Sequence, residues 1–340
     1  MILYSTYPIA GFDQINESQQ FIVDIAKNIG FNHVAQSEIS IIVSELANNL
    51  VKFPGEGKIV VNAFNYNHKK VLDIVSIDYG PGIENTEVTM RDGFTTSASM
   101  GTGLGAVKRL SDEFDLFSVP ANLYSKRVKP ITVIFARKWL TKEKSSIKNN
   151  DFKIGCITRP MPGFEENGDG IFFTQSDGEI CASVIDGIGH GYEANIASQA
   201  AIDYLEKNNS EEIEPLLNDL HLALIQTQGA VIAIARLSKR QNKLIYGGIG
   251  NISARVFNSP IPVHPLTMNG SLGGRINHIR AYEHQWVPGS VLLMTSDGIS
   301  NRWDISDFKD LHTKHPAIIA HIVFDQFSRQ NDDATVLVIK

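Results

Sequence analysis

The sequence predicts a chain of mixed α and β structure in two domains. Three observations carry that reading. The 340 residues suit two domains of ordinary size. The first half alternates helical patterns with Val/Ile-rich strands, whereas the second half is a series of short strands interrupted by helices. Between them, residues 138–150 (KWLTKEKSSIKNN) are polar, charged and aperiodic, as a connector should be. The predicted domains are 1–137 and 151–340.

In the first half, Gln19 to Ile29 places Phe21, Ile22, Ile25 and Ile29 at helical spacing. A second helix is predicted from about Gln36 to Val51, with Ile39, Ile42, Val43, Leu46 and Leu50 on one stripe, and Pro54-Gly55 ends it. Strands follow at Lys58–Phe64 and Val71–Ile77. A Gly/Ser/Thr-rich loop then leads into a helix at Leu104–Leu110, and strands at Phe114–Val119 and Ile131–Ala136 close this half. In the second half, strands are predicted at 170–174, 180–185, 230–237, 244–248, 253–257, 291–295 and 335–339, with helices at 193–207 and 212–226.

Composition narrows the function. A formal charge of −6 without a strong basic run argues against a general nucleic-acid binder. Cys156 and Cys181 have no CxxC partner or Cys/His cluster and read as buried, reduced thiols. The N-terminus lacks a signal-peptide pattern, and no apolar run approaches the roughly 20 residues of a membrane span. A cytoplasmic protein that does not enter the membrane is expected.

Three motifs in the first half carry chemistry. Glu45 and Asn49 are four apart on a predicted helix, so they share a face that can hold hydrated Mg²⁺ and orient a hydroxyl. An ordinary polar helix face offers the same pair. Asp78-Tyr79-Gly80-Pro81-Gly82 sits at a strand end, where a carboxylate can accept from an adenine amino group; a simple turn is the alternative. Gly101-Thr102-Gly103-Leu104-Gly105 runs straight into a helix, so its backbone N–H groups suit a phosphate. A polar loop rather than a strand precedes it, which disfavours a dinucleotide fingerprint.

In this order, the three motifs resemble the ATPase superfamily of gyrase, sensor histidine kinases and MutL. SELANNL, DYGPG and DGFTTSASMGTGLGAVKRLSDEF are most similar to its small RsbW- and RsbT-like switch serine kinases. The resemblance covers about residues 1–137. It implies a Bergerat-type α/β sandwich with ATP beneath a lid at about 84–102. It further implies that Asn49 binds Mg²⁺, Glu45 orients or deprotonates the acceptor hydroxyl, and Asp78 holds adenine. Gly80 and Gly82 would line the base pocket, and Gly101, Thr102, Gly103, Leu104 and Gly105 would meet the phosphates.

In the second half, four aspartate positions stand out, Asp169, Asp186, Asp297 and Asp332, and the last three each border an apolar, strand-like segment. A single Asp-Gly usually marks a hairpin turn. Acidic residues at several strand ends can instead converge on divalent cations, and two such ions can bind a phosphate and activate a water. VIDGIGHG, TQGAVIAIARL, YGGIGNI, LLMTSDGI and NDDATVLVI resemble, in order, the SpoIIE-like branch of metal-dependent serine/threonine phosphatases, nearest its RsbX-type members. That resemblance spans about residues 151–340 and implies an αββα β-sandwich. It implies Mn²⁺ or Mg²⁺ held by Asp169, Asp186, the Gly187 carbonyl, Asp297 and Asp332, with Asp333 the less secure of its pair. Ile188 stands where some relatives carry a histidine general acid, which leaves that acid unassigned. His190 reads as a cap or start of the next helix.

The leading expectation is a bifunctional switch enzyme. It would phosphorylate a Ser or Thr on a STAS-domain partner of a sigma-factor or stressosome-like circuit and remove that phosphate again. The alternative is a phosphatase whose N-terminal domain only senses nucleotide or binds a partner. A homodimer is expected by analogy with the small kinases.

Overall fold

The computed structural model describes residues 3–52, 56–66, 69–84, 103–121, 129–141, 150–209, 212–276 and 278–340. Two compact units emerge. One holds residues 1–143 with 307–314, and the other holds 144–306 with 315–340.

The first unit is a five-stranded antiparallel sheet with helices on it. Strands β1 (Leu3–Ile9), β2 (Gly57–Tyr66), β3 (Lys69–Asp78), β4 (Glu113–Val119) and β5 (Ile131–Trp139) lie in the order β1-β2-β3-β5-β4. Helices α1 (Asp13–Ile29), α2 (His33–Lys52) and α3 (Gly103–Leu110) accompany them. The predicted α2 stripe is the core: Ile39, Ile42, Val43, Leu46 and Leu50 are all buried, packed with Ile59, Val61, Leu72 and Ile74 of the sheet. Alternation along the strands sends these residues to one face.

Two expectations change here. Phe21, predicted for the buried stripe of α1, is 38% exposed and lies against Tyr7, with ring centroids 5.7 Å apart. β5 also runs through Trp139, so Lys138 and Trp139 belong to the sheet rather than to the connector. Lys138 is buried because its ammonium donates to Glu38 at 2.7 Å and to the Leu110 carbonyl at 2.8 Å. Beside it, Arg137 makes a bidentate pair with Asp73 at 2.6 and 2.8 Å, so two buried charges answer each other.

The second unit has two sheets. One runs β12 (Ala281–Gln285), β10 (Lys243–Ile249), β9 (Ala230–Ser238), β8 (Glu179–Gly187), β7 (Asp169–Ser176), and the other β11 (Ser253–Phe257), β13 (Val291–Thr295), β14 (Ala334–Ile339), β6 (Ile154–Arg159). Helices α4 (Tyr192–Asn208) and α5 (Ile213–Ala223) pack on the first sheet around Ile185, Leu205, Leu216, Leu220 and Ile232. Helix α6 (Pro316–Phe327) packs on β6 and β14. Helices therefore cover strands of both sheets. Three elements of this unit, β6, β12 and α6, go beyond the strands and helices read from the sequence.

Candidate metal centre and candidate nucleotide site

The metal-centre candidates sit at the ends of four strands. Asp169 opens β7 and Asp186 stands next to last in β8, directly opposite it in the antiparallel register. Asp297 follows β13 by two residues, and Asp332 precedes β14 by two. Glycines permit the close approach of these segments. A Cβ at Gly187 would lie 2.1 Å from the Ala194 carbonyl oxygen of α4, and one at Gly298 would lie 1.7 Å from the Asp333 carbonyl oxygen. The Asp-Gly runs are therefore packing requirements as well as turns.

The carboxylates feel one another. Burial pushes Asp186 up to about 9, and the charges of Asp169, Asp297, Asp332 and Asp333 push in the same direction. Burial raises Asp169 to about 7, helped by Asp333 and Asp297 and opposed by hydrogen bonds from Ser296 and Thr335. Asp332 is raised by burial and by Asp297, while His190 opposes the rise. The sequence-predicted ligands Asp169, Asp186, Asp297 and Asp332 thus form one electrostatic neighbourhood.

The supporting contacts are specific. Ser296 Oγ donates to Asp169 Oδ2 at 2.6 Å and accepts from the Thr335 backbone N–H at 3.0 Å. Thr335 Oγ1 lies 2.6 Å from Thr158 Oγ1, which accepts from Asn167 Nδ2 at 2.7 Å. Asn251 Nδ2 donates to Asp297 Oδ2 at 2.9 Å. These residues were missed as functional in the sequence, although Asn167, Asn251, Ser296 and Thr335 fall inside or beside the quoted motifs.

His190 requires a correction. His190 does not cap α4; Gly191 holds that position. Instead, His190 Nδ1 lies 3.5 Å from Asp332 Oδ1 and 3.6 Å from Asp333 Oδ2. Asp333 is buried, accepts from the Met161 N–H at 2.8 Å, and joins His190 and Asp332 in a group whose ligand atoms lie within 4.8 Å of one another.

The donor set fits divalent cations. Asp169 Oδ1 is buried and has no hydrogen-bond partner among the described residues. A hard cation would answer that oxygen and relieve the mutual repulsion that raises Asp186.

In the first unit, α2 carries Glu45 and Asn49, and α3 begins beside it. A Cβ at Gly103 would lie 2.8 Å from Glu45 Oε2, so the phosphate-cradle candidate abuts the candidate base. Asp78 ends β3; its Oδ1 accepts from the Gly80 N–H at 2.9 Å, and burial raises its pKa against that bond. Gly82 has φ +76°, and a Cβ there would lie 2.5 Å from Pro120 Cα. Leu104 and Gly105 lie in the first turn of α3. Gly101, Thr102 and all of the predicted lid except Glu84 lie outside the described residues.

The comparisons agree with a two-part chain. Residues 176–340 match the family model of stage II sporulation protein E, SpoIIE. Serine/threonine-protein kinase RsbT of Bacillus subtilis (strain 168) is 42% identical over 117 residues, which is 34% of this chain and 82% of RsbT. The phosphoserine phosphatase RsbX of the same organism is 28% identical over 135 residues, covering 39% of this chain and 67% of RsbX. A crystal structure of RsbX in complex with magnesium superposes with a TM-score of 0.51 at 23% identity, covering 57% of this chain and 96% of that one. A protein with a kinase-like part and a SpoIIE-type part is the class so defined. The chain belongs to the RsbT family through its first unit, and its second unit is a SpoIIE domain of the RsbX-like, serine/threonine phosphatase type.

Proposed function

We propose that this chain is a bifunctional switch enzyme. Its first unit transfers phosphate from ATP to a Ser or Thr of a partner protein, and its second unit hydrolyses the resulting phosphoester with bound Mn²⁺ or Mg²⁺. The observation that carries the reading is the carboxylate neighbourhood of Asp169, Asp186, Asp297 and Asp332, with its buried, unanswered Asp169 oxygen.

Divalent cations held there would polarise the phosphoryl oxygens and activate a water. Asp169, Asp186, the Gly187 carbonyl, Asp297 and Asp332 are the proposed ligands. Ser296 and Asn251 fix the orientation of Asp169 and Asp297. His190, within ion-pair range of two carboxylates and partly exposed, is the proposed general acid for the leaving serine oxygen.

In the first unit, the proposed fold is a Bergerat-type sandwich. Asn49 would hold Mg²⁺, Asp78 the adenine amino group, and Glu45 the acceptor hydroxyl. Gly80, Gly82 and the 101–105 run would line the nucleotide. Phosphoryl transfer asks for positioning and charge neutralisation more than covalent chemistry, and these groups supply both. A STAS-domain phosphoprotein of a sigma-factor or stressosome-like circuit is the proposed partner, through resemblance to the switch kinases and to RsbX. Joining both activities in one chain holds them near the same partner at high effective concentration. A cytoplasmic location accords with this role, and no described helix is long and apolar enough to cross a membrane.

The test is sequential. The partner, captured with the purified chain, is incubated with labelled ATP and Mg²⁺, and Mn²⁺ is then added. Label that enters the partner and leaves after Mn²⁺ supports both activities. Label that never enters defeats the kinase half, and label that persists defeats the phosphatase half.

A further inference from the structure

An apolar rim borders the carboxylate centre. Phe164, Ile188, Tyr192 and Ile196 are 43%, 42%, 63% and 37% exposed. Singly, such residues are ordinary on a protein surface. These four are gathered around one turn. Ile188 directly follows Gly187, the proposed carbonyl ligand, and its N–H donates to the Gly229 carbonyl at 2.9 Å, which fixes the backbone beneath it. Tyr192 and Ile196 are four apart at the start of α4 and share a helix face. The Phe164 ring lies 6.4 Å from the His190 ring, and a Cβ at Gly191 would meet it at 2.8 Å. The rim therefore adjoins the site through His190 and Gly187.

Charge identifies what would cover it. Glu165, Glu166 and Glu193 are exposed beside the rim. An acidic peptide would be repelled there, whereas flanking Lys or Arg would be attracted. We propose that this rim is the docking surface for the protein substrate: a phosphoserine or phosphothreonine segment with apolar residues next to the phosphorylated position and basic residues beyond them. This inference rests on the phosphatase reading. Apolar contacts would supply affinity, and the glutamates would select the flanking charge.

Two phosphoserine peptides of equal length test it in Mn²⁺. One has leucines beside the phosphoserine and arginines outside them; the other has glycines and glutamates in those places. p-Nitrophenyl phosphate, which has no flanking residues, serves as the small probe. The chain is expected to favour the leucine/arginine peptide by about tenfold or more in kcat/KM, the scale of burying one or two apolar side chains. The double variant Tyr192→Ser/Ile196→Ser, altered only at exposed positions, should lose most of that preference through KM while cleaving p-nitrophenyl phosphate as before. Equal rates on the two peptides, or a preference that survives in the double variant, overturn the docking surface and leave the phosphatase intact. Absence of hydrolysis of all three probes overturns the phosphatase reading and this proposal with it. Sedimentation of both proteins covers the other occupant: a dimer lost in the double variant with peptide preference unchanged assigns the rim to a second copy and overturns the proposal.

Discussion

Asp169 and Asp186 face each other across the β7–β8 pair, so two carboxylates meet where a sheet would ordinarily place an attractive pair. Folding without metal works against this arrangement, because burial and neighbouring charge hold Asp186 up at about 9. Asp186→Asn removes that burden and a proposed ligand together. Phosphatase turnover should fall by more than about 100-fold, beyond the usual effect of an outer-shell change. In chelator, the variant should melt higher than the parent by on the order of 5 °C. Nucleotide binding by the first unit should not change. Activity assays and thermal melts check this, and a variant with parental turnover would remove Asp186 from the ligand set.

The same shifts set a pH dependence. An acid whose pKa is raised by folding binds more protons folded than unfolded between its two pKa values, so stability falls as pH rises across that interval. Asp169 and Asp186, raised to about 7 and about 9, place that interval between roughly pH 4 and 9. The metal-free chain should therefore lose stability from these groups as pH rises. Mn²⁺ binds their charged forms, so the gap in Tm between Mn²⁺ and chelator should widen from pH 5.5 to 8. Parallel melting curves across that range would contradict the assignment of these carboxylates to a metal.

Legibility in the sequence followed local pattern. The Val/Ile-rich strands and the α2 stripe from Ile39 to Leu50 were readable because burial imposes their periods. Helix α6 was not. It is apolar nearly all round, with Pro316 to Phe324 buried, so it has no polar face to mark a helical period. Strand β6 carries Gly155 where the backbone of α6 comes so close that a Cβ would lie 2.2 Å from Ala317 N, and that glycine weakens the strand signal. Strand β12, Ala281–Gln285, is an edge strand without a buried residue and has no apolar run to read. In the site, the aspartates stood out beside their glycines. Ser296 did not: its partner Asp169 lies 127 positions away, and serine beside a turn is common. His190 was read as a helix cap because local sequence weighs its neighbours and not the distant Asp332 and Asp333.

Gly103 and Glu45 give the kinase half a sharp test. A methyl group at Gly103 would come within 2.8 Å of Glu45 Oε2, the far end of a flexible side chain, which can swing aside without disturbing the backbone. Gly103→Ala should therefore fold normally and yet move the proposed base. Phosphotransfer should drop, whereas Glu45→Gln, which removes the base outright, should lower it by roughly 10²–10⁴-fold. Glu45→Gln should retain nucleotide binding, because Asp78, Asn49 and the 101–105 run are untouched. Transfer at the parental rate in Glu45→Gln would leave Glu45 without a catalytic role.

Ser296 joins two strands of the site with one hydroxyl. It donates to Asp169 and accepts from the Thr335 N–H, so Ser296→Ala leaves a buried carboxylate oxygen and a buried amide without those bonds. Unmet buried polar groups cost about 1–3 kcal/mol each, so the metal-free chain should be destabilised by a comparable amount. Loss of the donor also removes one of the two hydrogen bonds that restrain Asp169, so its pKa should rise further. Less of it is then ionised at pH 7, and affinity for Mn²⁺ should weaken by roughly 10–100-fold. Raising the pH should recover part of that affinity, because the carboxylate remains in place and needs only to lose its proton. Ser296→Thr keeps the hydroxyl and should bind Mn²⁺ more tightly than Ser296→Ala. Calorimetric titration of Mn²⁺ into the three proteins at pH 7 and 8.5 distinguishes this from simple loosening, which would weaken binding equally at both values.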